Sequence, residues 1–487
     1  MRNKSFVLAC GVAVSLLGAG LAQAENLLEV YQAAVKNDPV IREADARRMA
    51  ALEAKPQARA LLLPQVNLNG QIYTANSDSQ STSQQLNVAT GLPVTVGYKS
   101  STDVSQYWDY SALLTQTVFR WDQWQQLKRA GSEVAIAEAN YRAAQQDLLV
   151  RVSQAYFGVL AAEDTLAAAD AALQAFNRQL EQAEKRFEVG LIAITDVQES
   201  RAAHDSATAG VIAAKRALAS ASEALREITG EPYQTLVKPA EDMPLDQPQP
   251  LDEQTWVALS LEKNLSVIAA RLGSEVAASD VRIAEAGHLP TVDLFAQYSE
   301  NQRNANQTNT AFDPSGALPP SPSVSGPANS NATNDVIGLR VTVPVFSGGG
   351  TQSRVRQQVY LQRAAREKLE GTQRTAERQT RDAYLGVLAE KARVQALQQS
   401  VRSSQTALEA TEAGFEVGTR TTVDVLDARR RLFEAQRDYA SSRYDYLMNI
   451  VKLKSAAGVM APQDLGTING FLTQPTTLPV LLPKPAG

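Results

Sequence analysis

Cysteine and histidine are nearly missing from this chain of 487 residues: there is one cysteine, Cys10, and there are two histidines, His204 and His288. Cys10 lies in a segment read below as a leader, so the mature chain offers no thiol. That excludes a disulfide framework, a thiolate zinc site and a cysteine nucleophile. The two histidines stand far apart in sequence, so no histidine metal cluster is visible. Aromatic residues make up only 6% of the chain, and the formal net charge is −5. A nucleic-acid binder usually carries a basic excess, and none is present. After the leader no run approaches the roughly 18 apolar residues of a membrane-spanning helix, so any insertion into a bilayer must use β-strands. No cofactor, metal site or catalytic constellation is expected, and the protein is read as non-enzymatic.

Residues 1–24 have the features of an export signal. Arg2 and Lys4 form a positive start, Phe6 to Leu21 an apolar core, and Ala22-Gln23-Ala24 a small-x-small cleavage site. Lipid attachment at Cys10 is disfavoured, because too few apolar residues separate it from Lys4 to form a signal core.

The strongest signal is an internal repeat. Gln154-Ala155-Tyr156-Phe157-Gly158-Val159-Leu160-Ala161 returns as Asp382-Ala383-Tyr384-Leu385-Gly386-Val387-Leu388-Ala389, at an offset of 228. Phe187-Glu188-Val189-Gly190 returns as Phe415-Glu416-Val417-Gly418 at the same offset, and Asp196-Val197 as Asp424-Val425. The chain therefore reads as a first repeat over 25–230, a Pro-rich connector over 231–253, a second repeat over 254–458 and a tail over 459–487.

Each repeat has the same grammar. A helical stretch ends near a proline, Pro64 or Pro290. A strand hairpin follows, over 65–119 in the first copy and 290–346 in the second. Val66, Leu68 and Ile72 alternate with Asn67, Asn69 and Gln71, which is the period of a strand with one apolar face. Ile337, Leu339, Val341, Val343 and Val345 repeat the pattern. The segments 74–106 and 300–334, dense in Ser, Asn, Gln and Thr, are expected to be long solvated loops. Then Asp122–Phe187 and Gln352–Phe415 run without a proline. At ~1.5 Å per residue such a helix spans on the order of 100 Å. Small and apolar residues recur three and four apart, as in Leu148, Val152, Ala155 and Val159, which gives a coiled-coil-like stripe.

Four strands per chain cannot close a membrane barrel, which needs at least about eight. Three chains would supply twelve strands, the simplest closed solution. The polar faces would then line a wet interior. Tyr107, Trp108 and Tyr110 at one end, and Phe119, Trp121 and Trp124 at the other, are expected to form the interfacial girdles.

The turns after Phe187 and Phe415 carry the most information. Val189-Gly190-Leu191 and Val417-Gly418-Thr419 each separate two long helices, where glycine accepts a positive φ at no steric cost. Thr195 with Gln198, and Thr421 with Asp424, have capping-box spacing. Asp424 and Asp427 are three apart and share a helix face. Around a threefold axis they would form a ring of six carboxylates that attracts cations. Arg420 could pair across an interface with a carboxylate such as Asp196.

These paired tips resemble those of the TolC-like outer-membrane factors of Gram-negative efflux and type I secretion systems. The resemblance covers about Leu27 to Leu465. It implies an α+β membrane protein, a trimer whose twelve-stranded β-barrel continues into a long α-helical coiled-coil barrel in the periplasm. It also implies a periplasmic adaptor and an inner-membrane ABC or RND transporter as partners, with the connector and tail wrapping the tunnel's middle. On the matching positions, Asp424 and Asp427 would be the constriction. Thr195, Asp196, Phe415 and Arg420 would be the links closing the entrance. Val189, Gly190, Leu191, Val417, Gly418 and Thr419 would be the adaptor-binding turns. The family's best-studied members carry tyrosine at the position of Phe415, and phenylalanine has no hydroxyl to offer Asp196. An exported coiled-coil or adhesin-like protein is the alternative. It explains the helices and the leader, but not duplicated strand pairs flanked by aromatics.

Overall fold

A computed structural model of the chain describes residues 25–87, 91–240, 243–316 and 319–479. The expected leader over 1–24, with Cys10, lies outside the described residues, as do the last residues of the tail. The elements, in order, are α1 (Leu27–Asn37), α2 (Pro39–Leu52), α3 (Ala54–Ala60), β1 (Gln65–Leu86), β2 (Pro93–Phe119), α4 (Trp121–Glu188) and α5 (Ile194–Thr229). There follow β3 (Thr235–Pro239), α6 (Glu253–Lys263), α7 (Leu265–Ala286), β4 (Thr291–Phe312), β5 (Val324–Pro327) and β6 (Ser330–Thr342). The chain ends with α8 (Gly350–Glu416), α9 (Thr422–Ala456), α10 (Pro462–Asn469) and β7 (Leu472–Thr477). The internal repeat is visible as two runs of helices, hairpin and helix pair.

Two compact units can be distinguished. One comprises Met49–Ala137 and Arg271–Lys368 and holds a single antiparallel sheet in the order β1-β2-β4-β6, with β5 also on β4. β5 and β6 are two pieces of one strand. Asn306 faces Pro327 and Arg303 faces Ser330, so the register runs on across the break, where Ala328 N–H donates to the Ala305 carbonyl at 2.7 Å.

The polar segments expected as loops are strands in large part. β1 continues to Leu86 and β2 begins at Pro93, paired from Leu86↔Pro93 to Gln65↔Thr115. Apart from the short alternation Val94, Val96 and Tyr98 at the start of β2, both faces of these outer halves are polar, and the conformation follows from the neighbouring strand rather than from composition. β6 stops at Thr342, short of the expected 346, because Pro344 has no N–H for a ladder.

The other unit comprises Met1–Arg48, Glu138–Ala270 and Leu369–Gly487 and contains the main core. α1 packs Leu27, Val30 and Ala34 against Leu148, Val152, Tyr156 and Leu160 of α4, with Leu218 and Leu225 of α5, and Leu447 and Val451 of α9. Each such large apolar side chain, fully buried, contributes about 1.5–3 kcal/mol. Connector and tail meet here: β3 pairs antiparallel with β7, from Thr235↔Thr477 to Lys238↔Gln474.

The two repeats fasten themselves to this core in the same way. The Tyr156 hydroxyl donates to the Val237 carbonyl at 2.7 Å and lies 3.2 Å from that of Glu25, just before α1. Its repeat equivalent, Tyr384, donates to the carbonyl of Leu251, just before α6. Gly230 and Gly458 both take a positive φ, 76° and 71°, to end α5 and α9. At Gly458 a Cβ would lie 2.4 Å from the Lys263 carbonyl oxygen, so only glycine fits there.

Two polar groups stitch the segments together. Asp38, 2% exposed, caps α2 through the Ile41 N–H and receives the Arg151 guanidinium of α4 at 2.7 Å. Asp164 of α4 accepts from Lys238 of β3 at 3.2 Å and from the Tyr444 hydroxyl of α9 at 2.6 Å. Beside it Glu163 accepts from Thr476 of β7 at 3.0 Å.

Candidate functional site

The sheet has two chemically distinct faces, because residues paired across strands point the same way. Val66, Leu68 and Ile72 of β1 face Leu114, Ala112 and Trp108 of β2. Leu114 and Ala112 in turn face Ala296 and Tyr298 of β4. Ala296, Leu294 and Val292 face Ile337, Leu339 and Val341 of β6. This face is apolar across all four strands and uncovered: Leu68 is 79% exposed and Ile337 77%. The opposite face carries Asn67, Asn69 and Gln71, paired with Leu113, Ser111 and Asp109, and then Gln297, Ser299 and Asn301 of β4. Arg120 forms a two-armed ion pair with Asp293 on that polar face, at 3.0 and 3.1 Å.

Aromatics sit at the borders of the apolar face. Trp108 stacks on Tyr110 at 5.7 Å, and Tyr110 meets Tyr298 at 6.1 Å. Both tyrosine hydroxyls donate to Glu300. Tyr107 points to the other face and stacks on Tyr73 at 4.5 Å. All three lie in mid-strand rather than at a strand end, because β2 extends outward to Pro93. A register irregularity between Thr117 and Phe119 turns Phe119 onto the apolar face opposite Val292. Trp121 and Trp124 follow, exposed on the first turns of α4.

The two helical turns are built alike. Gly190 has φ 73°; its N–H donates to the Phe187 carbonyl at 2.9 Å, while that of Leu191 donates to Arg186 at 2.9 Å. Gly418 has φ 79°, and the same pair of bonds runs from Gly418 to Phe415 at 3.1 Å and from Thr419 to Gly414 at 2.8 Å. Both are Schellman ends, which require an αL residue. They leave apolar side chains in the open: Val189 is 70% exposed and Val417 76%.

The following helices start differently. Thr421 caps α9: its hydroxyl accepts from the Asp424 N–H at 3.2 Å, and the Asp424 carboxylate accepts from the Thr421 N–H at 2.9 Å. Hydrogen bonds from the Thr421 backbone and hydroxyl, with Arg420 nearby, hold the Asp424 carboxyl below the usual carboxylate range. In the first repeat the cap position is Ala193, not Thr195, and only Asp196 contributes, accepting from the Ala193 N–H at 3.3 Å. Thr195 is exposed on the first turn. Asp427 pairs with Arg430 on its own helix. Within a single chain no ion pair joins Arg420 to Asp196 among the described residues; the carboxylate of Asp196 is engaged by its own helix start.

Three contacts toward the helix turns, which the sequence did not single out, cross from one repeat to the other. The Arg186 guanidinium lies 5.0 Å from the centroid of the Phe415 ring. Phe176 meets Phe433 edge-on at 6.4 Å. Arg429 of α9 clamps Glu412 of α8 at 2.7 and 3.0 Å and gives its Nη1 to the Ala175 carbonyl of α4 at 3.1 Å. The offset of 228, extended to charged positions, maps Glu184 onto Glu412 and Arg201 onto Arg429 and was the available signal.

A two-faced sheet with an uncovered apolar side, followed by duplicated long helix hairpins, defines a class of outer-membrane channel proteins. The model of the outer membrane efflux protein family matches residues 30–231 and 256–459. The chain belongs to that family. It is 35% identical to outer membrane protein TolC of Escherichia coli K12 over 475 residues, covering 96% of this chain and 89% of the relative. It is 26% identical to the alkaline protease secretion protein AprF of Pseudomonas aeruginosa, over 91% of this chain and 86% of that one. Among solved structures, the outer membrane protein VceC of Vibrio cholerae aligns at a TM-score of 0.67 and 22% identity, over 89% of this chain and 96% of that chain. The Campylobacter jejuni CmeC outer membrane channel aligns at 0.66 and 18%, over 92% and 90%.

Proposed function

We propose that three copies of this chain close one twelve-stranded barrel in the outer membrane and form the exit duct of a tripartite type I secretion or efflux system. The observation that carries this reading is the sheet. One chain leaves β1 and β6 as unpaired edges beside a bare apolar face, a combination that neither water nor lipid tolerates. Joining β6 of one copy to β1 of the next removes every edge and turns the apolar face to lipid. From Trp108 to Phe119 the strand runs about 37 Å at ~3.4 Å per residue, or about 26 Å along the membrane normal at a ~45° tilt. That matches an apolar band of about 25 Å. The girdle then comprises Trp108 and Tyr110 on the outer side and Phe119, Trp121 and Trp124 on the inner, with Tyr107 turned inward.

The long helices continue the wall as a coiled-coil barrel in the periplasm. Asp424 and Asp427, repeated around the axis, form its constriction. Arg420, Thr195 and Asp196 act between copies to close the entrance, with Phe415 beside them. The exposed turns Val189-Gly190-Leu191 and Val417-Gly418-Thr419 receive a periplasmic adaptor, which links the duct to an inner-membrane ABC or RND transporter. Proteins, small molecules or both pass through. An adhesin-like coiled coil would leave the apolar face and both edges without a purpose. The test is to reconstitute the purified protein into planar bilayers. Discrete, cation-preferring conductance steps are expected; a preparation that inserts without conducting overturns the reading.

A further inference from the structure

The repeat relation places a staple between copies of the chain. Arg201 on α5 pairs with Glu184 on α4 at 2.9 Å, and at the offset of 228 this is the pair Arg429–Glu412 on α9 and α8. Both arginines fasten the two helices of their own hairpin. Arg429 does more, since its Nη1 reaches the Ala175 carbonyl of α4 in the other repeat. Arg201 reaches Glu184 through Nη2 alone, and among the described residues its Nη1 has no hydrogen-bond partner. The exposures differ accordingly: the Arg429 side chain is 20% exposed and that of Arg201 52%.

We propose that the Arg201 Nη1 donates to the Ser403 backbone carbonyl of a second copy of this chain. Ser403 is the position that Ala175 becomes at the same offset, and it is exposed on α8. The contact rests on the three-copy reading above. In a ring of three chains the six hairpins alternate first repeat, second repeat, and the repeat symmetry lets the second helix of each hairpin meet the first helix of a neighbouring hairpin. Within one chain that meeting is α9 on α4. Between chains it is α5 on α8, and Arg201 is the residue in the place of Arg429. A guanidinium suits the task, because its planar fork binds a carboxylate with one arm and a carbonyl with the other, which a lysine ammonium does not reproduce.

The two aromatic contacts nearest the helix turns have no such counterpart. Phe176 and Phe433 map onto Ser404 and Asp205, and Arg186 over Phe415 maps onto Gly414 and Phe187. The stacked pair Phe157–Tyr444, 6.1 Å apart on α4 and α9, maps onto Leu385 and Arg216, so the seam between copies keeps the arginine staple and lacks all three of these aromatic contacts. It is the weaker of the two seams, and the one at which the ring parts.

The test uses full-length protein in outer-membrane vesicles, on a background with Cys10→Ser in case the leader persists. Arg201→Cys with Ser403→Cys, treated with a short bis-maleimide, should give covalent dimers and trimers. Arg429→Cys with Ala175→Cys should cross-link only within a chain. If glutaraldehyde traps trimers of the unmodified protein but the first cysteine pair stays monomeric, the Arg201 contact is overturned and the assembly stands. If glutaraldehyde traps no oligomer, the assembly reading falls as well. Arg201→Lys keeps the Glu184 pair and loses the second arm. It should lower the denaturant midpoint of trimer dissociation without changing the helicity of the intact protein; an unchanged midpoint also overturns the proposal.

Discussion

The guanidinium of Arg186 stands over the ring of Phe415, 5.0 Å from its centroid, and joins the last turn of α4 to the last turn of α8. A family tyrosine at this place offers a hydroxyl; here the ring offers its π-face to a cation instead. Such a contact is worth about 0.5–1 kcal/mol at an exposed site. Phe415→Ala should therefore loosen the entrance and raise single-channel conductance. Phe415→Tyr keeps the ring and adds a donor toward Asp196, and should lower conductance below that of the unmodified protein. Equal conductance for all three would show that Phe415 does not hold the entrance.

The two aspartates of α9 make a separate prediction. Asp424 is held ionised by the Thr421 cap, and Asp427 lies one helical turn on, paired with Arg430. Asp424→Ala with Asp427→Ala should raise conductance and weaken block by divalent cations in planar bilayers if these carboxylates form the proposed constriction, where they would concentrate cations. Thr421→Ala should cost only the cap, about 1 kcal/mol of local stability, and leave cation block in place. Unchanged conductance and block in the double variant would remove both carboxylates from the constriction.

Neighbouring residues on opposite faces of β1 separate insertion from conduction. Leu68 is on the apolar face and Asn69 on the polar one. Leu68→Lys should cost about 2–4 kcal/mol near the bilayer midplane and reduce the amount of protein in outer-membrane fractions. Asn69→Lys should insert normally and shift ion selectivity toward anions. Fractionation and reversal-potential measurements read the two effects. A reversed pattern would mean that the sheet presents its faces the other way.

The Asp38–Arg151 pair gives a pH dependence in the core. Asp38 is buried, which by itself would raise its pKa, yet the Arg151 guanidinium and the backbone N–H groups at the start of α2 hold the carboxyl below its usual range. A depressed carboxyl pKa contributes stability that is complete above the unfolded-state value and is lost as pH falls through the folded one. Asp38→Asn should therefore cost about 2–3 kcal/mol at neutral pH and progressively less below about pH 4. Denaturant melts of the two proteins at neutral and acid pH measure the difference; a gap that widens on acidification would contradict the assignment.

The long helices were legible because α4 and α8 contain no proline and repeat small and apolar residues at helical spacing. The apolar halves of the hairpins were legible for the same kind of reason, since Val66, Leu68 and Ile72 keep a period of two. Their outer halves were not, because Ser, Thr, Asn and Gln occupy most of both faces and only Val94, Val96 and Tyr98 leave a short contrast to read. Ladder hydrogen bonds to the neighbouring strand decide the conformation there, as in Ser79↔Ser100 and Thr308↔Ser325. At the tips, glycines 190 and 418 and Asp424 stood out through the offset and the capping pattern. Thr195 suggested a cap that the chain places two residues earlier, at Ala193, where the Asp196 carboxylate serves the helix start. Arg186 left no trace in the repeat, since its counterpart is Gly414. Arg429 was hidden among the three consecutive arginines 429–431 until the contacts of α4 and α8 were seen.

One chain supplies a third of a closed barrel. Native mass spectrometry of the protein extracted from outer membranes, with detergent removed in the gas phase, measures this most directly. A complex with three times the mass of the mature chain is expected, persisting in Leu68 and Asn69 variants that reach the membrane. A species with the mass of a single chain, in the same membrane extract, would contradict it.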